Sequence, residues 1–287
     1  MNGFKTTILL TLLTLLLMIV GEYIGGQNGM LIAFVIAAIT NFISYFFSDR
    51  LALAMYRAQP ATREELPRAY EVVERLSGRA GIPMPKIYVI PTDSPNAFAT
   101  GRNPRHASVA VTHGILALLN DEELEGVLAH ELSHVRNRDI LTSSIAATLA
   151  GAITMLARMA FWFGAFGGGD REERRGGGIG ALIMMLLAPF AAMLIQLWVS
   201  RTREYEADAS GAHMTGNPYA LASALEKISG ASRQLPLVAS PNTAHLFIIA
   251  PLLSGETWAS LFSTHPPIQK RIERLIGRSS VHGYINQ

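Results

Sequence analysis

The sequence contains no cysteine and few charged residues. The absence of cysteine from 287 residues excludes disulfide bonds, thiolate metal sites and cysteine nucleophiles. Only 16% of the residues are charged, whereas soluble globular proteins have about a quarter. The formal net charge is +2, and no basic cluster is interleaved with aromatic residues, so the sequence argues against nucleic acid as a partner.

Four apolar segments account for the low charge. They are Phe4–Val20, Met30–Phe47, Ile140–Phe166 and Ile179–Val199. A membrane-spanning helix needs about 20 largely apolar residues, so we expect an integral membrane protein with two transmembrane hairpins. A signal peptide is the alternative for the first segment, but no A-x-A-like cleavage site follows it. A hairpin lodged in the bilayer without crossing it is the alternative for the last two.

The distribution of basic residues predicts the orientation. The link 21–29 has no lysine or arginine, whereas four arginines lie between positions 50 and 68. Because basic residues accumulate on the cytoplasmic side, both ends of the first hairpin should be cytoplasmic. The chain then divides into an N-terminal transmembrane hairpin (1–48), the first part of a catalytic domain (49–139), a second hydrophobic hairpin (140–199) and the second part of that domain (200–287).

The segments outside the apolar regions predict a mainly α-helical domain with a small β-sheet. Lys86–Ile90 and Ala107–Thr112 have the composition of strands, and the turn-rich segment 93–103 connects them. Four helices are predicted from capping and stop signals: one from the capping box Thr62–Glu65 to Ala80, one capped by Asn120 and Glu123, one from Asn217-Pro218 to Gly230, and one from Pro266-Pro267 to Gly277.

The stretch VLAHELSHVRNRD, residues 127–139, contains a metal-binding pattern. His130 and His134 are four positions apart, so on a helix they lie on one face and can bind one ion. Glu131 lies beside them. This H-E-x-x-H arrangement is typical of zinc peptidases, where zinc activates water and the glutamate takes its proton. The alternative is two solvated histidines on an amphipathic helix.

Catalytic zinc needs a third protein ligand. Asp139 is too near on the same helix, and the acidic loop 170–173 lies beyond a predicted span. The segment 200–210, SRTREYEADAS, follows the fourth apolar segment, where the chain has returned to its starting side. Glu204 and Asp208 share a helical face there. We therefore expect Glu204 to bind the metal and Asp208 to accept from the free N–H of a ligand histidine.

Four motifs together resemble the HtpX family of bacterial, heat-shock-associated membrane zinc metalloproteases, which are related to CAAX prenyl proteases. These motifs are His130–His134, Asn137-Arg138-Asp139, the pattern from Ser200 to Asp208, and Ser263-Thr264-His265-Pro266-Pro267. The resemblance implies a zincin-like (gluzincin) fold, one zinc ion on the two histidines and Glu204, and a cytoplasmic active site in the inner membrane. It also implies a stress-response role, the cleavage of misfolded or damaged membrane proteins.

Further residues have both functional and structural interpretations. The resemblance implies that His265 stabilises the oxyanion during catalysis; the alternative is an ordinary histidine before a helix. Arg201 could pair with Asp208 or hold the Glu204 helix, or could simply lie at a cytoplasmic boundary. Substrate would add as a strand to an edge at Asn96–Thr100, with Asn96, Ala97 and Phe98 binding it, or at Ala107–Val111. The alternative is a turn and a structural strand.

The apolar run Ala244–Leu253 is too short to span a bilayer, so it either dips into the interface or forms a buried core helix. Two other functions remain as alternatives to a membrane endopeptidase acting on membrane-protein or unfolded polypeptide substrates. One is a membrane scaffold with a structural or sensory zinc site, and the other is a prenyl-protein-specific protease. The free Glu131 argues against the scaffold, since a structural site has no use for it.

Overall fold

The computed structural model describes residues 2–141, 145, 201–234, 248 and 266–277. Within these ranges the helices and strands are α1 (Asn2–Met55), β1 (Gln59–Pro60), α2 (Pro67–Ala80), β2 (Lys86–Ile90), β3 (Ala97–Gly101), a 3₁₀ turn (Pro104–His106), β4 (Ala107–Thr112), α3 (His113–Leu118), α4 (Asp121–Arg136), α5 (Arg201–Thr215), α6 (Pro218–Gln234) and α7 (Ile268–Ile276). The prediction of a mainly helical protein with a small sheet is confirmed. The predicted second hairpin, apart from residues 140, 141 and 145, and His265 lie outside the described residues.

The first helix, α1, is broken at Gly25 and Gly26. Gly26 has φ 59° and ψ −148°, a conformation that glycine adopts at low cost. On either side of the break, Asn41 Nδ2 donates to Thr14 Oγ1 at 2.9 Å, so the first two apolar segments lie side by side. Among the described residues, one helix, Gly25–Met55, is long and apolar enough to cross a membrane, with a mean hydropathy of 2.1.

The part of α1 after the break, Gly25–Met55, is its second arm, and the surface of this arm is apolar. Large side chains such as Leu31, Ile32, Ile39 and Phe42 are each more than half exposed. Monomeric soluble proteins rarely expose continuous apolar surfaces of this kind. The arm therefore has the surface of a helix that lies in lipid.

The sheet has the strand order β1-β2-β4-β3, with β3 at one edge. Strand β4 pairs in parallel with β2, from Lys86 opposite Ser108 to Ile90 opposite Thr112. It pairs antiparallel with β3, from Ala97 opposite Val111 to Gly101 opposite Ala107. The segment 93–103, predicted as a turn-rich connection with a possible edge strand at Asn96–Thr100, contains the strand Ala97–Gly101. Of the two segments expected at an edge, β3 lies there and β4 is internal.

Each face of the sheet packs against a different part of the protein. On one face, Ala97, Ala99, Val109 and Val111 join the main apolar core with α2, α4 and α6. On the other face, Phe98, Ala110 and Ile90 pack with Ala52 and Leu53 at the end of α1. The apolar helix α1 therefore lies directly against the back of the edge strand.

Three helix boundaries can be compared with those predicted from the sequence. The capping box of α4 is present, because Asn120 and Glu123 exchange side-chain-to-backbone hydrogen bonds, and Gly277 ends α7 in the left-handed conformation as expected. Helix α2, in contrast, begins at Pro67 rather than near Thr62. Thr62 and Glu65 do exchange hydrogen bonds. However, Leu66 precedes a proline, which disfavours the helical conformation at Leu66 and delays the helix.

Candidate metal centre

Helix α4 carries the two histidines and Glu131 into the core. Its apolar residues Leu124, Val127, Leu128, Leu132 and Val135 are all fully buried. Their burial fixes the rotation of the helix about its axis. His130 and Glu131 are buried as well, at 1% and 3% exposure. A buried histidine and a buried carboxyl on one helix require partners from elsewhere in the fold.

Helix α5 supplies the first partner, Glu204. The two helices approach closely because Gly211 of α5 has no side chain: a Cβ built there would lie 2.9 Å from the backbone N of His130. Nε2 of His130 lies 3.3 Å from Nε2 of His134. Oε2 of Glu204 lies 3.7 Å from the His130 Nε2, and its Oε1 lies 3.5 Å from the His134 Nε2.

These three side chains fit a divalent metal ion. Ligands bound about 2.0–2.1 Å from a tetrahedral zinc ion are separated from one another by about 3.4 Å. The two histidine nitrogens are separated by close to that value, the two Glu204 oxygens each lie 3.5–3.7 Å from one of them, and one ligand atom from each residue lies within 4.8 Å of the others. Two imidazoles and one carboxylate are also a donor set that zinc accepts in catalytic sites. The geometry therefore allows His130, His134 and Glu204 to hold a metal.

Each histidine is also held at its other ring nitrogen by a carboxylate. Nδ1 of His130 lies 2.9 Å from Oδ1 of Asp208, the contact expected from the spacing of Glu204 and Asp208. Nδ1 of His134 lies 3.4 Å from Oδ2 of Asp139. Such carboxylates fix the orientation of a histidine ring and make it a better ligand.

An arginine lies behind each of these carboxylates. Arg271 of α7 binds Asp208 with two nitrogens, at 2.9 and 2.7 Å, and its side chain is fully buried. Arg203 lies 3.7 Å from Asp139. The arginine paired with Asp208 is therefore Arg271 rather than Arg201, which is exposed at the start of α5. Arg201 precedes the buried stretch of that helix, so its side chain does not reach the interior.

The electrostatics follow from burial and from these pairs. Burial raises the pKa of Glu131. The charge of His134 lowers this pKa and the charge of Glu204 raises it, so that the pKa is about 8. Burial lowers the pKa of His134, but the neighbouring carboxylates, led by Asp139 and Glu204, outweigh burial and raise it to about 9. Burial lowers the pKa of His130. Burial would raise the pKa of Asp208, but Arg271 holds it at about 2.

Glu131 lies beside the three-residue group and faces the edge strand. Its Oε2 accepts a hydrogen bond of 2.8 Å from the backbone N–H of Ala99. Ala97 and Ala99 alternate with the residues whose backbone groups pair with β4, so their N–H and C=O groups point away from the sheet. The edge of β3 that pairs with no described strand, its free edge, therefore faces the residue expected to act as a base.

Ile248 lies against the same edge. Its backbone N–H donates to the carbonyl of Ala97 at 3.3 Å, and its carbonyl accepts from Nη1 of Arg271 at 2.7 Å. The side chain is buried in the main core. At this position the run Ala244–Leu253 is thus part of the core, at a bend rather than in a helix. The rest of the run lies outside the described residues.

The three residues expected to bind substrate are all buried. Asn96 and Ala97 lie at the start of β3, where the side-chain oxygen of Asn96 accepts from the Ala97 N–H at 3.0 Å. Phe98 is fully buried against Tyr56 on the opposite face of the sheet. The side chain of Phe98 points to the face that packs against α1, because alternate residues of a strand point to opposite faces. Substrate binding by Phe98 stays a prediction.

Sequence reasoning missed Arg271 as a site residue, although a signal for it exists. Arg271 lies three residues after Ile268 and four before Leu275, so it is on the apolar stripe of α7. An arginine on a buried stripe requires an acidic partner. Its partner, Asp208, is 63 positions away, and the sequence does not specify that pairing.

Comparison with known proteins decides the family. Residues 63–279 match the model of peptidase family M48. The chain belongs to this family. Its relatives include proteins named protease HtpX homolog from Desulforapulum autotrophicum, 54% identical over 96% of this chain and 89% of that one, and from Syntrophobacter fumaroxidans, 56% identical over 96% and 98%. A third, from Pyrococcus furiosus, is 54% identical over 94% of each chain.

A solved structure has a similar fold. The crystal structure of S. mikatae Ste24p superposes with a TM-score of 0.54 at 19% sequence identity, covering 96% of this chain. The chain spans 66% of the length of that protein. The family and the relatives together identify the chain as a metallopeptidase of the HtpX type. With the apolar helix Gly25–Met55, they also indicate a membrane protein, and the non-catalytic scaffold is not favoured.

Proposed function

We propose that the chain is a zinc-dependent endopeptidase that holds one zinc ion on His130, His134 and Glu204. The observation that carries this proposal is the convergence of the three side chains: one ligand atom from each lies within 4.8 Å of the others, and the two histidine Nε2 atoms are 3.3 Å apart. When bound, zinc would act as a Lewis acid that activates water and polarises a peptide carbonyl.

Glu131 is the proposed general base. It is adjacent to the ligand group without belonging to it, and it is buried beside the free edge of β3. In this position its carboxylate can take a proton from the attacking water and return it to the leaving amine. The hydrogen bond from Ala99 holds the carboxylate on the side where substrate would lie.

The edge of β3 is the proposed binding surface for substrate. An extended peptide that adds to this edge would exchange the bonds that Ala97 now makes to Asn96 and Ile248 for main-chain hydrogen bonds of its own, and its side chains would contribute modest selectivity. Main-chain pairing suits a protease that accepts many unfolded sequences. His265, which would stabilise the oxyanion, lies outside the described residues, and its role rests on the family resemblance.

The proposed location is the inner membrane of a bacterial cell, with several spans and the active site facing the cytoplasm. The packing of Ala52 and Leu53 against the sheet supports it, because this contact holds the catalytic domain next to the end of the apolar helix. The same proposal includes segment boundaries after residues 48, 139 and 199, and a second membrane hairpin formed by residues 140–199. Substrates within reach of such a site are loops and unfolded ends of misfolded or damaged membrane proteins.

The deciding experiment compares the wild type with Glu131→Gln after purification in detergent. We expect both proteins to hold about one zinc ion per chain, because Glu131 is outside the ligand group, and we expect cleavage of an unfolded substrate to fall by at least about 100-fold in the variant. The measurements are zinc content by elemental analysis and the rate of substrate cleavage.

The other outcomes are informative as well. Equal cleavage by both proteins would remove Glu131 as the base. Full zinc content without cleavage of any substrate by the wild type would favour the structural or sensory zinc site. Loss of zinc from Glu131→Gln would mean that Glu131 is a ligand, contrary to the proposal.

A further inference from the structure

The turn between β3 and β4 lies against the apolar helix α1. Its first residue after the strand, Arg102, places its guanidinium over the ring of Phe46 at 5.6 Å from the centroid. Phe46 is one residue from the end of the apolar segment Met30–Phe47. The contact is a cation–π interaction, worth about 0.5–1 kcal/mol at an exposed site. It fixes the turn beside the end of the helix that is expected to lie in lipid.

The charge on this turn has one sign. Its arginines, Arg102 and Arg105, lie within four residues, and the chain has no acidic residue between Asp93 and Asp121. In the part of the chain that the structure describes, no carboxylate pairs with the guanidinium of Arg102 or of Arg105. On α1, Asp49 and Arg50 follow Phe46 by one turn and balance each other. The local surface is therefore cationic.

The turn is also held in one shape. The side-chain oxygen of Asn103 accepts from the backbone N–H groups of Arg105 and His106, at 3.0 and 3.1 Å. Pro104 fixes the first residue of the 3₁₀ turn. Arg105 and His106 are exposed. A fixed backbone that presents basic side chains loses little conformational entropy when it binds an anion.

We propose that the turn Arg102–His106 docks on the headgroups of anionic phospholipids. Each arginine held next to a membrane-spanning helix is attracted to an anionic leaflet, and the attraction falls off within about one Debye length. Since the turn directly continues β3, docking would hold the free edge of that strand at a set height above the bilayer. The proposal rests on the position and charge of the turn and is independent of the proposed catalysis.

The test uses the absence of cysteine in the chain. A fluorophore on His106→Cys of the full-length protein in proteoliposomes is exposed to phosphatidylglycerol or phosphatidylcholine carrying a nitroxide at carbon 5 of one acyl chain. We expect stronger quenching by labelled phosphatidylglycerol at the same mole fraction, with an enrichment of roughly fivefold per arginine. The excess should disappear at 1 M salt, where the Debye length is about 3 Å.

Two charge-matched double variants separate the turn from general electrostatics. Arg102→Gln/Arg105→Gln should abolish the preference for phosphatidylglycerol. Arg63→Gln/Arg75→Gln removes the same charge from arginines that are paired with Glu74 and Glu125, and should leave the preference intact. Because Arg102 also packs on Phe46, the exposed Arg105→Gln alone should still reduce the preference by roughly fivefold.

Three results would overturn the proposal. The first is equal quenching by both lipids, which would mean that the turn is near the bilayer without recognising charge. The second is the absence of quenching by either lipid, which would mean that the turn faces water. The third is a preference that survives Arg102→Gln/Arg105→Gln, which would assign the anionic-lipid contact to another surface.

Discussion

The backbone N–H of Ala99 donates a hydrogen bond of 2.8 Å to Oε2 of Glu131. This bond joins the edge of the sheet to the helix that carries both histidines, across 32 positions of sequence. The strand that would align a substrate and the carboxylate that would act on it are therefore parts of one rigid unit.

The first prediction concerns Arg271. Its guanidinium holds Asp208 with two hydrogen bonds, and Asp208 in turn orients His130. Outer contacts of this kind typically change metal affinity by about 10–100-fold, so Arg271→Gln should weaken zinc binding by that factor. The measurement is a chelator competition. Arg274→Gln is the matched control, because Arg274 is on the same helix, is exposed and stacks on Tyr205.

Loss of Arg271 also leaves the carboxylate of Asp208 buried without a counter-charge, which costs about 3–5 kcal/mol of unfolding free energy. The double variant Arg271→Gln/Asp208→Asn removes both charges and should be more stable than Arg271→Gln alone. If Arg271→Gln bound zinc as tightly as Arg274→Gln, the proposed chain of contacts from Arg271 through Asp208 to the metal site would be wrong.

The second prediction concerns Gly211. A Cβ at this position would lie 2.9 and 3.1 Å from the backbone N and Cα of His130, closer than packed atoms allow. Gly211→Ala should therefore displace α5 from α4 and cost about 1–3 kcal/mol, as overpacking does. Zinc affinity should fall with it, since Glu204 is on α5. Thermal unfolding and zinc titration measure the two effects.

Gly78→Ala is the control for Gly211→Ala. Gly78 is also within a helix, but a Cβ there would meet nothing within 4 Å. The substitution should be neutral or should stabilise the protein by up to about 1 kcal/mol through helix propensity. A stable, fully zinc-binding Gly211→Ala would contradict the close approach of the two helices at His130.

The sequence predicts local elements better than long-range contacts, and particular residues show why. The α4 capping box and the strand Lys86–Ile90 are specified by neighbouring residues, so both were predicted correctly. Strand β3 was predicted only as an alternative, because its five residues lie between turn-forming residues and its small side chains carry no strand pattern. It is extended because β4 and Glu131 supply its hydrogen-bond partners.

The candidate site shows the same division. His130, Glu131 and His134 are recognisable because one helix turn fixes their spacing. Glu204 could be predicted as a metal ligand from the expected membrane topology and from its spacing to Asp208. Arg271 could not be assigned, since its contact with Asp208 depends on how α7 packs. Arg201 was predicted instead because it is close to Glu204 in sequence. Closeness in sequence does not determine which side chains are buried.

The third prediction concerns Phe98, which joins the sheet to the end of α1. Its side chain is fully buried against Tyr56, with ring centroids 5.8 Å apart. Phe98→Ala should destabilise the catalytic domain by about 3–5 kcal/mol, because it opens a cavity in that contact. The measurement is thermal unfolding in detergent. Phe34→Ala is the control: Phe34 is on α1 and is 48% exposed, so its loss should have little effect. Similar destabilisation by both substitutions would contradict this packing.

The fourth prediction concerns the protons that metal binding displaces. Burial lowers the pKa of His134, but Asp139 and Glu204 outweigh burial and raise it to about 9. The imidazole of His134 is therefore protonated at pH 7.5 in the metal-free protein. Zinc binds only the neutral ring, so at least about one proton must leave. His130, whose pKa is lowered by burial, is already neutral and contributes none. Glu131, whose pKa is raised to about 8, can lose a second proton when zinc binds beside it. Apparent zinc affinity should therefore rise by at least about tenfold per pH unit up to pH 8 and level off above 9.

Calorimetric titration of the metal-free protein in buffers of different ionisation enthalpy measures the protons released. Asp139→Asn removes a carboxylate that raises the pKa of His134, so this variant should release fewer protons at pH 7.5. Its affinity should also depend less steeply on pH. A binding enthalpy that is the same in all buffers would mean that no proton is released, and that the imidazole of His134 is neutral before the metal arrives. The carboxylates around His134 would then orient its ring without raising its pKa.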